Sequence, residues 1–117
     1  MRITGLKKNL QFRQVYREGR RVAGKKVTIY YLYREKEGLF PGFVASRKNV
    51  GKAYQRNRAR RLMREAFLEL EKKFTGRGLW IVFVASFNPK ETPYGELKKD
   101  IENSLFKAGL ILQADDI

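Results

Sequence analysis

The chain contains no cysteine and no histidine. Without cysteine there is no disulfide framework, no thiolate nucleophile and no thiolate-bound zinc. Without histidine, the usual general base and the commonest neutral metal ligand are missing too. No apolar run approaches the ~20 residues of a membrane span, and the opening "MRITGLKKNLQF" lacks a signal peptide's apolar core. A cytoplasmic location is the simplest expectation. No internal repeat, low-complexity tract or Pro/Gly/Ser linker divides the sequence. The 12 acidic residues are scattered rather than clustered.

What is present is an apolar fraction of 43% over 117 residues. That suits one domain, 1–117, burying roughly two-thirds of its unfolded surface. The basic residues 1–8 are expected to be loosely held and flexible. Net charge is +14, and it is unevenly placed. Residues 1–73 hold 21 Lys/Arg against 6 Asp/Glu, whereas residues 74–117 hold 5 against 6. A one-sided surplus costs stability through self-repulsion and points to a polyanionic partner. Nucleic acid leads, with an anionic membrane surface second.

Local patterning gives the order α-β-β-α-β-α. "NLQFRQVYREG" reads as a short helix with Asn9 as N-cap and Gly19 as stop. Residues 25–35, "KKVTIYYLYRE", and 39–46, "LFPGFVAS", read as strands, followed by a basic loop, "RKNVGK". A long helix is expected from about Ala53 to Phe74. The apolar run "GLWIVFVASF", 78–87, has strand length and the composition of a strand covered on both faces. Thr92 as N-cap and Pro93 at the first helical position open a last helix that Gly109 closes. The long helix between two strands suggests a crossover between parallel neighbours, in an α+β two-layer sandwich with a mixed sheet.

The stretch "YQRNRARRLMREAF", residues 54–67, packs five arginines into nine positions, Arg56 to Arg64. On a wheel with Arg56 at 0°, Ala59, Leu62, Met63, Ala66, Phe67, Leu70 and Phe74 fall from about 240° through 0° to 20°. Arg60, Arg64, Asn57, Arg61 and Arg58 fall between about 40° and 200°. One side is core and the other a guanidinium surface. A charged outer side is ordinarily only a solvated face. Here, though, Glu65 is the first acid after Glu37. Like charges at i, i+4 weaken a helix by a few tenths of a kcal/mol each, and cations near its N-terminus oppose the dipole. A sequence chosen for stability alone would not combine both. Guanidinium groups pair bidentately with phosphates and stack on bases, so the helix suits a folded RNA or DNA backbone. Arg47, Lys48 and Lys52 extend the basic surface.

With its flanks, "GFVASRKNVGKAYQRNRARRLMREAF" resembles the bacterial ribonuclease P protein subunit family. That family's pattern is a strand ending in Ser and two basic residues, a short loop, then Arg-Asn-Arg, a basic pair and Arg-Glu. The opening "LKKNLQFRQVYREGRRV" is similar to the family's opening, where two aromatics one turn apart precede a Gly. The resemblance covers nearly the whole chain. It implies a ribosomal-protein-like α/β fold with a left-handed βαβ crossover, where general rules favour a right-handed one. It also implies that a large RNA carries the catalytic metal ions and the chemistry, removing the 5′ leader of precursor tRNA, with Mg²⁺ bound mainly by that RNA. No catalytic residue and no dedicated metal ligands are assigned to the protein. The protein would join that RNA as a monomer in a 1:1 complex. The RNA-docking residues would be Arg56, Asn57, Arg58, Arg60, Arg61 and Arg64, with Arg47, Lys48 and Lys52. Phe12, Tyr16 and Tyr30 would line the leader cleft, flanked by Lys48 and Lys52. Tyr16 stands where many relatives have Phe, and Arg60 and Arg47 where Lys is common.

Aromatic platforms beside a basic groove hold single-stranded nucleic acid with little sequence preference, about 1–3 kcal/mol per stacked base. From composition alone, core packing explains Phe12 and Tyr16 equally well. Three alternatives stay open. A ribosomal or other RNA-binding protein without a catalytic partner fits the charge. A self-sufficient nuclease needs clustered carboxylates or a general base, which the scattered acids do not offer. A membrane-surface role needs an exposed apolar helix face, and here that face is better used against the strands.

Overall fold

The structure, a computed structural model, describes residues 2–75 and 78–112. Four strands form one open mixed sheet: β1 (Arg20–Ala23), β2 (Val27–Arg34), β3 (Leu39–Val44) and β4 (Gly78–Ala85), in the spatial order β1-β2-β4-β3. β1 and β4 both run antiparallel to β2, while β3 and β4 are the parallel neighbours that the intervening helix implies. β4 lies inside the sheet, and Ile81, Val82 and Phe83 are all fully buried. Its unbroken apolar run follows from helices packed on both faces, which leave only Trp80 and Val84 partly exposed.

Helices α1 (Asn9–Glu18), α2 (Arg47–Val50), α3 (Ala53–Leu70) and α4 (Tyr94–Lys107) complete the fold. α3 and α4 cover one sheet face. Ala59, Met63, Ala66, Phe67 and Leu70 of α3 meet Ile29, Ile81 and Phe83, as do Leu97, Ile101 and Leu105 of α4. α1 covers the other face, where Val15 and Leu6 pack with Val82. The expected two-layer arrangement is thus incomplete: α1 forms a third layer because alternation along β2 and β4 leaves apolar side chains on both faces.

Other differences from expectation are local. β1 is an additional strand whose sequence, "RRVA", carries no apolar alternation; its pairing with β2 defines it. The loop expected at 47–52 contains α2, capped by the Ser46 hydroxyl, which accepts from the Asn49 N–H at 3.1 Å. Lys8 rather than Asn9 is the N-cap of α1, and Gln11 Oε1 accepts the N–H groups of Lys7 and Lys8. α3 stops at Leu70, and a 3-10 turn over Glu71–Lys73 carries the chain to Phe74. Pro93 serves as the N-cap of α4, its carbonyl accepting from Glu96 and Leu97.

The segment ahead of α1, expected to be loose, is hydrogen-bonded along β3. Thr4 N–H donates to Leu39 O, Leu6 N–H to Pro41 O, and Leu39 N–H to Arg2 O. Asp100 of α4 fixes the start of β2 by accepting from the backbone N–H groups of Lys25, Lys26 and Val27 at 2.9, 2.9 and 3.2 Å.

Candidate nucleic-acid interface

β3 delivers the chain at Ser46 into a tight α2–turn–α3 corner. Gly51 turns it with φ +111°, a conformation that a Cβ disfavours. The Arg56 guanidinium then donates to Gly51 O at 3.0 Å, bracing the turn from inside α3. A notch of about 530 Å³ is left between the two helices, lined by Arg47, Gly51, Lys52, Ala53 and Arg56. Arg47, Lys48 and Lys52 are exposed around it.

Along α3, Arg58, Arg61 and Arg64 are exposed, while Arg56 and Arg60 are half-buried. Arg60 donates to the side-chain oxygen of Asn57, which orients both. The Arg64 guanidinium lies 5.3 Å from the centre of the Phe43 ring at the sheet edge. The expected inner side is buried at Ala59, Met63, Ala66, Phe67 and Leu70, and Leu62 is half-buried.

The ion pairs lie elsewhere. Lys98 meets Glu69 at 2.8 Å, Lys73 meets Glu102 at 2.9 Å, and Lys26 and Arg17 make longer pairs with Glu96 and Glu18. Among the described residues, no carboxylate lies within 4 Å of any cation from Arg47 to Arg64. The nine residues proposed from sequence for phosphate contact lie on α2, the turn after it and α3, and among the described residues none of their eight cations is in an ion pair.

The three aromatics proposed for a cleft meet on the α1 face. Tyr16 and Tyr30 pack edge to face, ring centres 4.9 Å apart. Tyr16 remains 41% exposed, so this is an open contact rather than core. Partial burial, then the neighbouring Tyr30, raises the Tyr16 phenol above its ordinary pKa. Phe12 and Tyr30 are half-buried. Lys48 makes no cation–π contact with these rings among the described residues; α2 holds it on the basic corner.

A second basic and aromatic group was not legible in the sequence. Arg34 stacks on Trp80 with its guanidinium carbon 4.5 Å from the ring centre, and Lys36 Nζ stands 5.9 Å from that of Phe40. Strand pairing creates this group, since Leu32 and Trp80 are register partners 48 positions apart. Local periodicity carries no such information.

Among the described residues, no group of three His, Cys, Asp or Glu is placed to hold a metal ion, and no helix is long and apolar enough to cross a membrane. The family model described as Ribonuclease P matches residues 2–109. The ribonuclease P protein component of Clostridioides difficile (strain 630) is 40% identical over 103 residues, covering 87% of this chain and 89% of the relative. That of Caldanaerobacter subterraneus subsp. tengcongensis is 35% identical over 109 residues, covering 93% and 92%. The solved RNase P protein of Staphylococcus aureus superposes with a TM-score of 0.80 at 25% identity, over 92% of this chain and 97% of that one. The Thermotoga maritima protein superposes with a TM-score of 0.78 at 22% identity, over 87% and 94%, and shares the fold.

Proposed function

The chain belongs to the ribonuclease P protein family, and from that premise we propose that it is the protein subunit of ribonuclease P. In this reading the protein docks on the large RNA through the α2–α3 corner: Arg47, Lys48, Lys52, Arg56, Asn57, Arg58, Arg60, Arg61 and Arg64. It holds the 5′ leader of precursor tRNA against Phe12, Tyr16 and Tyr30, with Lys48 at the edge. The observation that carries the reading is the absence of acidic partners across that corner among the described residues. Phosphates are the natural counter-charge, and releasing their condensed counterions drives binding.

The protein's own part is positioning. Arg56 and Arg60 are pre-set by Gly51 O and Asn57, so their ordering cost is partly met before RNA arrives. Rings at Tyr16 and Tyr30 offer a sequence-tolerant platform for a variable single strand. Among the described residues, no three acidic side chains converge as a ready-made metal cage, and Mg²⁺ commonly binds through few protein oxygens plus phosphates. The metal ions and the endonucleolytic step are assigned to the RNA, which hydrolyses the phosphodiester to leave the mature tRNA 5′ end. A monomer in a 1:1 complex, a cytoplasmic location and a left-handed β3–α3–β4 crossover belong to the same reading.

The test is a precursor-tRNA cleavage assay with bacterial ribonuclease P RNA at low Mg²⁺. Correct 5′-end cleavage that requires both components supports the subunit role. Tight RNA binding without stimulation would make the protein a binder of some other RNA, and cleavage by the protein alone would assign it the chemistry.

A further inference from the structure

α1 divides the sheet face that it covers. It crosses the register row Gly42–Val82–Tyr30, with Phe12 against Gly42 and Tyr16 against Tyr30. On one side lies the row Val44–Val84–Thr28, which leads to Ser46 and the basic corner. On the other lies Phe40–Trp80–Leu32, which leads away from that corner to Arg34 and Lys36. Leader binding beside Tyr30 does not explain cations and rings at this far end.

The far side holds a cavity of about 640 Å³, lined in part by Gln11, Arg34, Glu35, Lys36, Phe40 and Trp80. That lies within the ~300–1,000 Å³ typical of small-ligand sites. Trp80 and Phe40 are half-buried, each with a cation over its ring. Neither Arg34 nor Lys36 has a carboxylate within 4 Å among the described residues, although Glu35 is at the rim. Gln11 uses its Oε1 for the Lys7 and Lys8 N–H groups, which leaves its NH₂ to donate.

We propose that this cavity is a second single-stranded RNA site, taking one unpaired nucleotide on the opposite side of α1 from the leader. The base stacks on the guanidinium that lies over Trp80, and Lys36 holds the adjoining phosphate. A guanidinium flat on a ring still presents its other face to a base and its N–H edge to an oxygen. Gln11 and Glu35 supply one donor and one acceptor for base edges. With a helix about 10 Å wide in between, a strand seated at Tyr30 cannot enter without rounding α1. The site therefore takes a different RNA segment. The inference rests on RNA being the protein's partner, as proposed above.

Trp80 is the single tryptophan, so its fluorescence reports this site alone. Titrating the full chain with a short oligoadenylate should quench Trp80 saturably. Arg34→Gln and Lys36→Gln should each weaken that binding about five-fold or more, while Tyr30→Ala leaves it unchanged. Lys36→Gln does not touch the Trp80 ring, so it separates lost affinity from an altered fluorophore. Absent quenching, quenching indifferent to both variants, or quenching lost with Tyr30→Ala would each overturn the proposal. Stimulated precursor-tRNA cleavage without quenching would overturn this site and spare the subunit role. Quenching that follows the variants without stimulation would support the site and overturn that role.

Discussion

The ring of Phe12 in α1 lies on Gly42 of β3 so closely that a Cβ on Gly42 would overlap Phe12 Cε1. The absent side chain is what lets α1 sit down on the sheet and bring Tyr16 to Tyr30. Gly42→Ala should therefore push Phe12 off the sheet, an overpacking cost of about 1–3 kcal/mol. Urea denaturation measures the stability loss. Selectivity for leader-bearing substrates should fall in parallel, because the same shift opens the Tyr16–Tyr30 contact. Unchanged stability would mean that α1 repositions freely.

Replacing Tyr30 by Ala should weaken binding of precursor tRNA with a long leader by about 1–3 kcal/mol and barely affect mature tRNA. Phe12→Ala should show the same selectivity on top of a loss of fold stability. Affinities of the reconstituted complex for the two RNAs measure the difference. Equal losses for both would place the rings in a purely structural role.

Asp100 gathers three backbone N–H groups at the start of β2. Asp100→Asn should weaken the fold by about 1–3 kcal/mol, because the amide cannot satisfy all three as the carboxylate does. Denaturant midpoints at constant slope are the measurement. RNA affinity per folded molecule should not change, since the hydrogen bonds of Asp100 go to Lys25, Lys26 and Val27 and to none of the α2–α3 corner residues.

The reach of the sequence follows from which signals are local. β4 is legible because a strand buried on both faces leaves an unbroken apolar run, and the inner side of α3 because 3.6-residue periodicity persists from Ala59 to Leu70. β1 is hidden because Arg20 and Arg21 face solvent and only pairing with β2 makes a strand. α2 is too short for periodicity, though Ser46 ahead of it and Gly51 behind are its cap and stop. The arginine corner is legible as a basic cluster since its residues all fall in one stretch of sequence, 47–64. Two arrangements are set by long-range packing: α1 on the opposite sheet face, and Arg34 on Trp80.

Tyr94 provides a pH test of the α3–α4 contact. Burial first, then the Glu69 carboxylate, pushes its phenol up to about 12. The hydroxyl is buried with no partner in hydrogen-bonding geometry, so Glu69 acts through its charge. The folded state thus holds this proton more tightly than the unfolded chain. Its contribution should be intact below about pH 10 and be lost as pH rises through about 12. Stability measured across that window should fall less steeply in Tyr94→Phe than in the parent chain. Identical slopes would show that the phenol is not held.

The most direct test of an arginine corner built to dock on RNA is the salt dependence of binding to ribonuclease P RNA. Arg56, Arg60 and Arg64 are replaced together by Gln, and log affinity is followed against log salt concentration. Docking through these groups predicts weaker binding and a slope shallower by about 0.7–0.9 for each phosphate that is no longer neutralised. An unchanged affinity and slope would mean that this side of α3 faces water in the complex, contradicting the docking role.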